Sequence, residues 1–436
     1  MEKTAFAQFD FKPFILEAIS ELSFSQPTEV QERMIPSILR GKSSIGQSQT
    51  GTGKTHAYLL PLINNINPSD QEVQVVITAP TRELANQIYK EVINITSKCP
   101  EGQLIQANSF IGGTDKKRSI EKLKKQPHIV VGTPGRILDI VKEQALDIHK
   151  AKTIVIDEAD LMLDLGFIYE VDQLASRMVK DLQILVFSAT IPEKLKPFLK
   201  KYMENPSFTQ VDPTQLIANN VENILVPIRH RNEISLVYDM LQTFQPYLAM
   251  IFTNTKKRAD EVANSLRDKG LEVALLHGGL QPRERKKVMK QVKELQFQYI
   301  VATDLAARGI DIPGVSHIIN IEIPMDLDFL IHRIGRTARA GNSGVAFTLF
   351  SEEDEEKISK LEKLNVHFQN KDLINGEWVS IEDRNRRKNR KKQTQETDKI
   401  ANRYVQKPKK VKPGYKKKMK EEMDKVKRRE RRKKKR

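Results

Sequence analysis

Eleven short runs rich in Val, Ile and Leu, separated by stretches of helical periodicity, most limit how this chain can fold. In the first half they are VQVVITAP, QLIQANSFIG, HIVVGTP, TIVIDEAD and QILVFSAT; in the second, ILVPIRH, LAMIFTNT, EVALLHGG, QYIVATD, HIINIEIP and GVAFTLF. Near-continuous apolar runs suit strands buried on both faces, and strands alternating with helices suit parallel sheets covered by helices. A chain of 436 residues exceeds one ordinary core, so the expectation is an α/β protein with two such sheets. Each run ends in small or polar residues, where doubly wound sheets place their ligand crevices. Between the two sets, NPSFTQVDPTQLIANNVE (205–222) is polar, contains two prolines and reads as a linker.

The net charge of +17 is unevenly placed. Residues 384–436 hold 27 Lys and Arg against 6 Asp and Glu, a net of +21, which leaves the body at −4. After about Gly376 the apolar periodicity fails, and the end is too hydrophilic to build a core. That tail is expected to be disordered, or at most transiently helical from about 415. The single cysteine, Cys99, excludes an internal disulfide and a cysteine zinc cluster, and suits a reducing compartment. No apolar run reaches the roughly 18 residues of a membrane span, and MEKTAFAQFDF has no signal pattern. The expectation is a soluble cytoplasmic protein, monomeric by default, without membrane contact.

Residues 48–55, SQTGTGKT, approach a phosphate-cradling loop, but a strict G-x-x-x-x-G-K-[ST] would put glycine where Ser48 stands. Such a loop needs backbone N–H groups converging on phosphate oxygens, a lysine reaching the β/γ-phosphates and a hydroxyl on Mg²⁺. Ser48, Gln49, Thr50, Gly51, Thr52 and Gly53 form the cradle, with Lys54 as the charge and Thr55 as the metal ligand. A helix starting near HAYLLPLI would point its positive end at the phosphates. Ser48 is tolerable if its backbone angles do not demand glycine. The run TIVIDEAD then brings Asp157 and Glu158 to a strand end. Asp157 would hold Mg²⁺, directly or through water, and Glu158 would orient and deprotonate an attacking water. A solvated acidic turn capping the next helix is the other reading. ATP hydrolysis fits the pair with the loop better.

Taken together with PTREL (80–84), GG (112–113), TPGR (133–136), SAT (188–190), TDLAARGID (303–311) and HRIGRTAR (332–339), these residues resemble the DEAD-box RNA helicase family over about residues 6–350. The resemblance implies two tandem RecA-like domains, each a mostly parallel doubly wound sheet, at 1–208 and 223–376. A linker at 209–222 would join them, and a basic, largely disordered tail would occupy 377–436. It also implies ATP and Mg²⁺ as cofactors. SFSQPTEVQ (23–31) resembles the family's adenine-recognising segment, with Gln31 as the reading residue. A carboxamide can bond adenine N6 and N7 together, which favours ATP over GTP. Phe6 matches the aromatic that stacks on the base, and Asp311 the ribose ligand. Ser23, Glu29-Val30, Ser48 and Ala338 depart from the usual Gly, Pro-Ile, Ala and Gly, and none removes a side chain needed for ATP or Mg²⁺.

Arg333, Arg336 and Arg339, spaced by three, are expected near one face of a helix. A solvated basic face is the bland reading. The resemblance places Arg336 and Arg339 against the γ-phosphate across an interdomain cleft, where such an arginine is worth about 10³–10⁵ in rate. His332 joins this catalytic set, and Ser188, Ala189 and Thr190 couple ATP to RNA. RNA contacts are carried over to Thr81, Arg82, Gly113, Thr133, Gly135, Arg136 and Thr303, on a face opposite or beside the ATP cleft. Such groups suit phosphate and sugar, so binding would be sequence-nonspecific, and 2′-hydroxyl contacts would separate RNA from DNA.

The family mechanism is local, non-processive duplex separation, in settings such as cold adaptation, ribosome assembly or mRNA turnover. Ribosomes or RNA-degradation machinery would then be partners. The tail reads as a second, salt-sensitive RNA anchor, with a nuclear-import signal as its rival. Three activities stay open on the sequence: an RNA-unwinding ATPase, a slowly turning ATP-gated RNA clamp, and a DNA helicase of similar build.

Overall fold

A computed structural model describes residues 5–48, 51–113, 120, 121, 123, 125–211, 220–307, 312, 314–338, 343–381, 405 and 415–433. The first sheet comprises β1 (Ser44–Gln47), β2 (Val75–Thr78), β3 (Ala107–Phe110), β4 (Ile129–Gly132), β5 (Thr153–Ile156), β6 (Gln183–Ser188) and β7 (Ser207–Gln210). Its order is β3-β4-β2-β5-β6-β1-β7, and every neighbouring pair is parallel. Helices of this half among the described residues include α1 (Pro13–Glu21), α2 (Glu29–Leu39), α3 (Lys54–Asn65), α4 (Arg82–Thr96), α5 (Pro134–Lys142), α6 (Ala159–Asp164), α7 (Ile168–Ala175) and α8 (Lys196–Tyr202). Side chains alternate across a strand, so β5 serves two cores. Val155 packs with Ile15, Met34 and Leu60, while Ile154 and Ile156 pack with Ile137, Leu174 and Phe198.

The second sheet comprises β8 (Val221–Pro227), β9 (Ala249–Thr253), β10 (Val273–Leu276), β11 (Tyr299–Thr303), β12 (His317–Asn320), β13 (Gly344–Phe350), β14 (Gln369–Ile374) and β15 (Glu377–Ser380). The order is β10-β11-β9-β12-β13-β8-β14-β15, parallel except for the antiparallel β14–β15 pair. Helices α9 (Glu233–Thr243), α10 (Lys256–Asp268), α11 (Pro282–Lys293), α12 (Asp304–Ala307), α13 (Leu327–Ile334) and α14 (Glu355–Lys363) accompany it, and α15 (Tyr415–Lys433) lies in the basic tail. Among the described residues no helix is long and apolar enough to cross a membrane.

Each of the eleven apolar runs contains a strand. Two expected boundaries differ. Strand β7 runs through 208–209 and β8 begins at Val221, so regular structure enters the 209–222 linker from both ends. The break at Gly376 falls inside a hairpin. Asn375 and Gly376 both have positive φ, 51° and 84°, as a tight two-residue turn between antiparallel strands requires. Trp378 on β15 then donates its indole N–H to Thr243 Oγ1 at 2.9 Å and stacks on Phe347. The second core therefore extends past the point where periodicity fails.

Candidate functional site

The phosphate loop leaves the end of β1 and enters α3. Ser48 continues the β1–β6 ladder: its N–H donates to the Ser188 carbonyl at 3.1 Å, and its hydroxyl lies 2.9 Å from Thr52 Oγ1. Ser48 is not among the residues with positive φ, so its position does not require glycine. The turn falls instead on Gly51 and Gly53, with φ of 85° and 92°. A Cβ on Gly53 would also stand 2.7 Å from Gln31 Nε2. Lys54 is buried, and its Nζ donates to the Ser48 carbonyl at 2.6 Å. Thr55 lies in the first turn of α3. Gln49 and Thr50 lie outside the described residues.

Asp157 and Glu158 follow β5 and are both buried. Asp157 Oδ1 accepts the Glu158 N–H at 2.9 Å. Burial and then the neighbouring Glu158 charge push the Asp157 carboxyl up to about 6, against the Lys54 charge, which pulls it down. Glu158 has φ 50° and ψ 54°, a left-handed conformation costly for a residue with a Cβ and found where a site fixes a side chain's direction.

Tyr58, which sequence reasoning passed over, donates its hydroxyl to Asp157 Oδ2 at 2.9 Å. The available signal was its position four residues after Lys54, hence one helical turn along the same face.

Gln31 lies on α2 with its amide engaged at both ends. Oε1 accepts the Thr28 N–H at 2.9 Å, and Nε2 donates to the Gly53 carbonyl at 3.1 Å. A carboxamide keeps one further lone pair and one further proton, so adenine reading and contact with the loop are chemically compatible. Phe6 lies in a 3₁₀ turn (Ala5–Phe9) and is fully buried in the core beside Phe9. In this structure it is a core ring and not an open platform for a base.

The SAT residues at the end of β6 link the DEAD residues to the loop. Ser188 Oγ accepts the Asp160 N–H at 3.0 Å. Thr190 donates through its N–H and its hydroxyl to Asp160 Oδ2 at 3.3 and 3.4 Å. The Ala189 carbonyl accepts from Gln47 Nε2 at 3.3 Å. Nothing in the tripeptide's composition announced this; only the fold brings 188–190 to 160.

The strand order divides the carboxyl edge of the first sheet. Strands β1, β5 and β6 carry the groups just described, while the neighbouring β3, β4 and β2 end at Gly112-Gly113, Thr133–Arg136 and Thr81-Arg82. The expected RNA contacts therefore lie beside the phosphate loop on one edge. Thr81 caps α4, its hydroxyl accepting the Leu84 N–H, and Thr133 is the N-cap residue of α5. Two helix N-termini, which favour anions, thus face the same way. The Arg82 guanidinium lies against Gly112, where a Cβ would be 3.0 Å from Nη2. Nothing crowds the Cα of Gly135, leaving its backbone approachable.

In the second half Thr303 ends β11, buried, and is followed by Asp304. Arg333 and Arg336 do not share a helical face. Helix α13 stops at Ile334 with Gly335 as its C-cap, so Arg333 is helical and Arg336 lies beyond the end. Arg333 is buried, its Nη2 2.6 Å from Asp304 Oδ2 and 2.8 Å from Asn254 Oδ1, and its Nη1 2.8 Å from the Glu322 carbonyl. It is an internal brace. His332 belongs to the last turn of α13, and Arg336 is buried. Asp311 and Arg339 lie outside the described residues. Between the halves, Arg285 on α11 pairs with Glu83 of PTREL, Nε to Oε1 at 2.5 Å.

Two nucleotide-fold halves joined in tandem, one carrying phosphate loop and DEAD carboxylates on a shared edge, define a helicase class. Residues 28–198 match the DEAD/DEAH box helicase model and residues 232–341 the helicase conserved C-terminal domain; the chain belongs to the DEAD-box helicase family. It is 60% identical over 98% of its length to the DEAD-box ATP-dependent RNA helicase CshB of Bacillus cereus, covering 98% of that protein. It is also 60% identical to CshB of Bacillus subtilis, covering 99% of this chain and 98% of that one. Among solved structures, S. cerevisiae Dbp5 bound to RNA and ADP BeF3 aligns with a TM-score of 0.75 and 29% identity, over 85% of this chain and 96% of the other. DEAD-box helicase Mss116 bound to ssRNA and UDP-BeF gives 0.76 and 26%, over 92% and 86%.

Proposed function

We propose that this chain is an ATP-dependent RNA helicase whose two halves close on RNA when ATP binds and reopen after hydrolysis, separating strands locally. The observation that carries the reading is the shared edge of the first sheet: phosphate loop and DEAD carboxylates, tied to each other through Ser188 and Asp160, on one side, and RNA-type groups on the other. Its relatives' names and the RNA-bound neighbours support the same substrate.

The residues fit Mg²⁺. Two adjacent buried carboxylates, Asp157 raised first by burial and then by the neighbouring Glu158 charge, form a donor set, with Thr55 in the first turn of α3. Thr55 and Asp157 would hold the ion, which when bound neutralises β- and γ-phosphate oxygens. Lys54 leaves the Ser48 carbonyl for those phosphates. Glu158 orients the attacking water and takes its proton. Arg336 and Arg339 add charge from the second half, so hydrolysis waits for closure, and His332 joins them. Gln31 and Asp311 read adenine and ribose. Stacking by Phe6 requires the core around it to open. Thr81, Arg82, Gly113, Thr133, Gly135, Arg136 and Thr303 hold one RNA strand by backbone and sugar. Bending that strand releases its partner.

The basic tail is a nonspecific RNA anchor. We place the protein in the cytoplasm as a monomer, acting on ribosomal or messenger RNA structure during cold adaptation, with ribosomes or RNA-degradation machinery as partners. Glu158→Gln tests the mechanism: ATP-dependent RNA binding should persist while turnover falls by about 10²–10⁴. Wild-type hydrolysis in that variant would refute the role of Glu158.

A further inference from the structure

Tyr58 is completely buried, yet its ring alone does not explain it. The ring packs on Phe187, centroids 5.0 Å apart, and phenylalanine would serve that contact equally. The hydroxyl is what differs: it donates to Asp157 Oδ2 at 2.9 Å. With Oδ1 accepting the Glu158 N–H, the carboxylate is held at both oxygens.

We propose that Tyr58 is a positioning residue for the metal, its hydroxyl fixing the Asp157 carboxylate at the end of β5 to α3, the helix that also carries Thr55, so that both present their oxygens to a single divalent cation. The inference rests on the Mg²⁺–ATP reading above. Ligand carboxylates fixed by a second hydrogen-bonded residue lose about 10–100-fold in metal affinity when that residue is removed. A phenol one turn beyond the phosphate-loop lysine supplies such a tie without occupying space at the phosphates. Its own helix carries both Lys54 and Thr55, so the hydroxyl fixes the carboxylate to the rigid element that holds the lysine and the metal hydroxyl.

The test is Tyr58→Phe in the full chain, with three readouts: fluorescent ADP affinity in EDTA, the same affinity across a Mg²⁺ titration, and thermal unfolding without nucleotide. The expected result is unchanged affinity in EDTA and a half-saturating Mg²⁺ concentration raised about tenfold. Unfolding should move by no more than a few degrees. An unchanged Mg²⁺ midpoint overturns the proposal, as does an equal loss of ADP affinity with and without Mg²⁺. A variant that fails to fold would make the hydroxyl structural and overturn it too. If wild-type protein binds ADP with no response to Mg²⁺, the underlying cofactor reading fails instead.

Discussion

Replacing Arg333 with methionine would separate the brace from Arg336 and Arg339, proposed above as catalytic. The guanidinium is 1% exposed and forks onto both Asp304 oxygens. It also serves the Glu322 carbonyl and Asn254 Oδ1 and lies 5.4 Å from the Phe252 ring centroid. Methionine fills much of that volume but leaves Asp304 and two acceptors unpaired. Breaking a buried ion pair from one side costs about 3–5 kcal/mol. A unit of this size shifts by about 2–4 °C per kcal/mol, so the second half should unfold roughly 10 °C lower. Calorimetry of the full chain, with Mg²⁺–ADP added to mark the first half's transition, reads this directly. Arg333→Lys keeps the charge but not the fork, and should recover only part of the loss. If Arg333→Met left the second transition within about 2 °C while ATP turnover collapsed, the assignment of Arg333 as a brace would be wrong.

Deleting residues 384–436, with their net charge of +21, should weaken RNA binding and flatten its dependence on salt; an unchanged salt slope in RNA titrations would remove the anchor role. Ser23 and Ala338, which stand where the family has glycine, have φ of 57° and 56°. Ser23→Gly and Ala338→Gly should each relieve about 1–2 kcal/mol of left-handed strain, offset in part by about 0.5–1 kcal/mol of added chain entropy, and unfolding midpoints should rise slightly. Buried His128 accepts the Gln106 N–H at Nδ1, and burial lowers its pKa. The unfolded chain then binds the proton more readily, so stability is full above about pH 6.5 and falls as pH drops below it, by at most about 1.4 kcal/mol per unit. Unfolding midpoints between pH 7.5 and 5.5 should show the fall in wild type and less of it in His128→Gln.

The buried strands were legible because both faces of each sheet are covered, so apolar residues run without alternation. Strand β1, Ser44–Gln47, was not, because packing and not composition makes it a strand. At Gly46 a Cβ would stand 2.4 Å from Met34 Sδ, so glycine is there for close approach. Strand β7 hid in the polar linker for a related reason: it forms the sheet edge against β1. The hairpin β14–β15 carried a readable Asn-Gly turn, which the surrounding charge obscured. In the site, motif order located the phosphate loop and DEAD carboxylates. It could not separate Arg333 from Arg336, because a spacing of three implies one helical face only while the helix lasts, and α13 ends between them. Nor could it find Tyr58, whose role depends on a contact 99 residues away.

Steady-state ATP hydrolysis measured without nucleic acid, with single-stranded RNA and with DNA of the same sequence tests the central claim most directly. The account predicts strong stimulation by RNA and little by DNA, because closure on a sugar-and-phosphate track completes the ATP site. Equal stimulation by DNA, or hydrolysis indifferent to both, would contradict it.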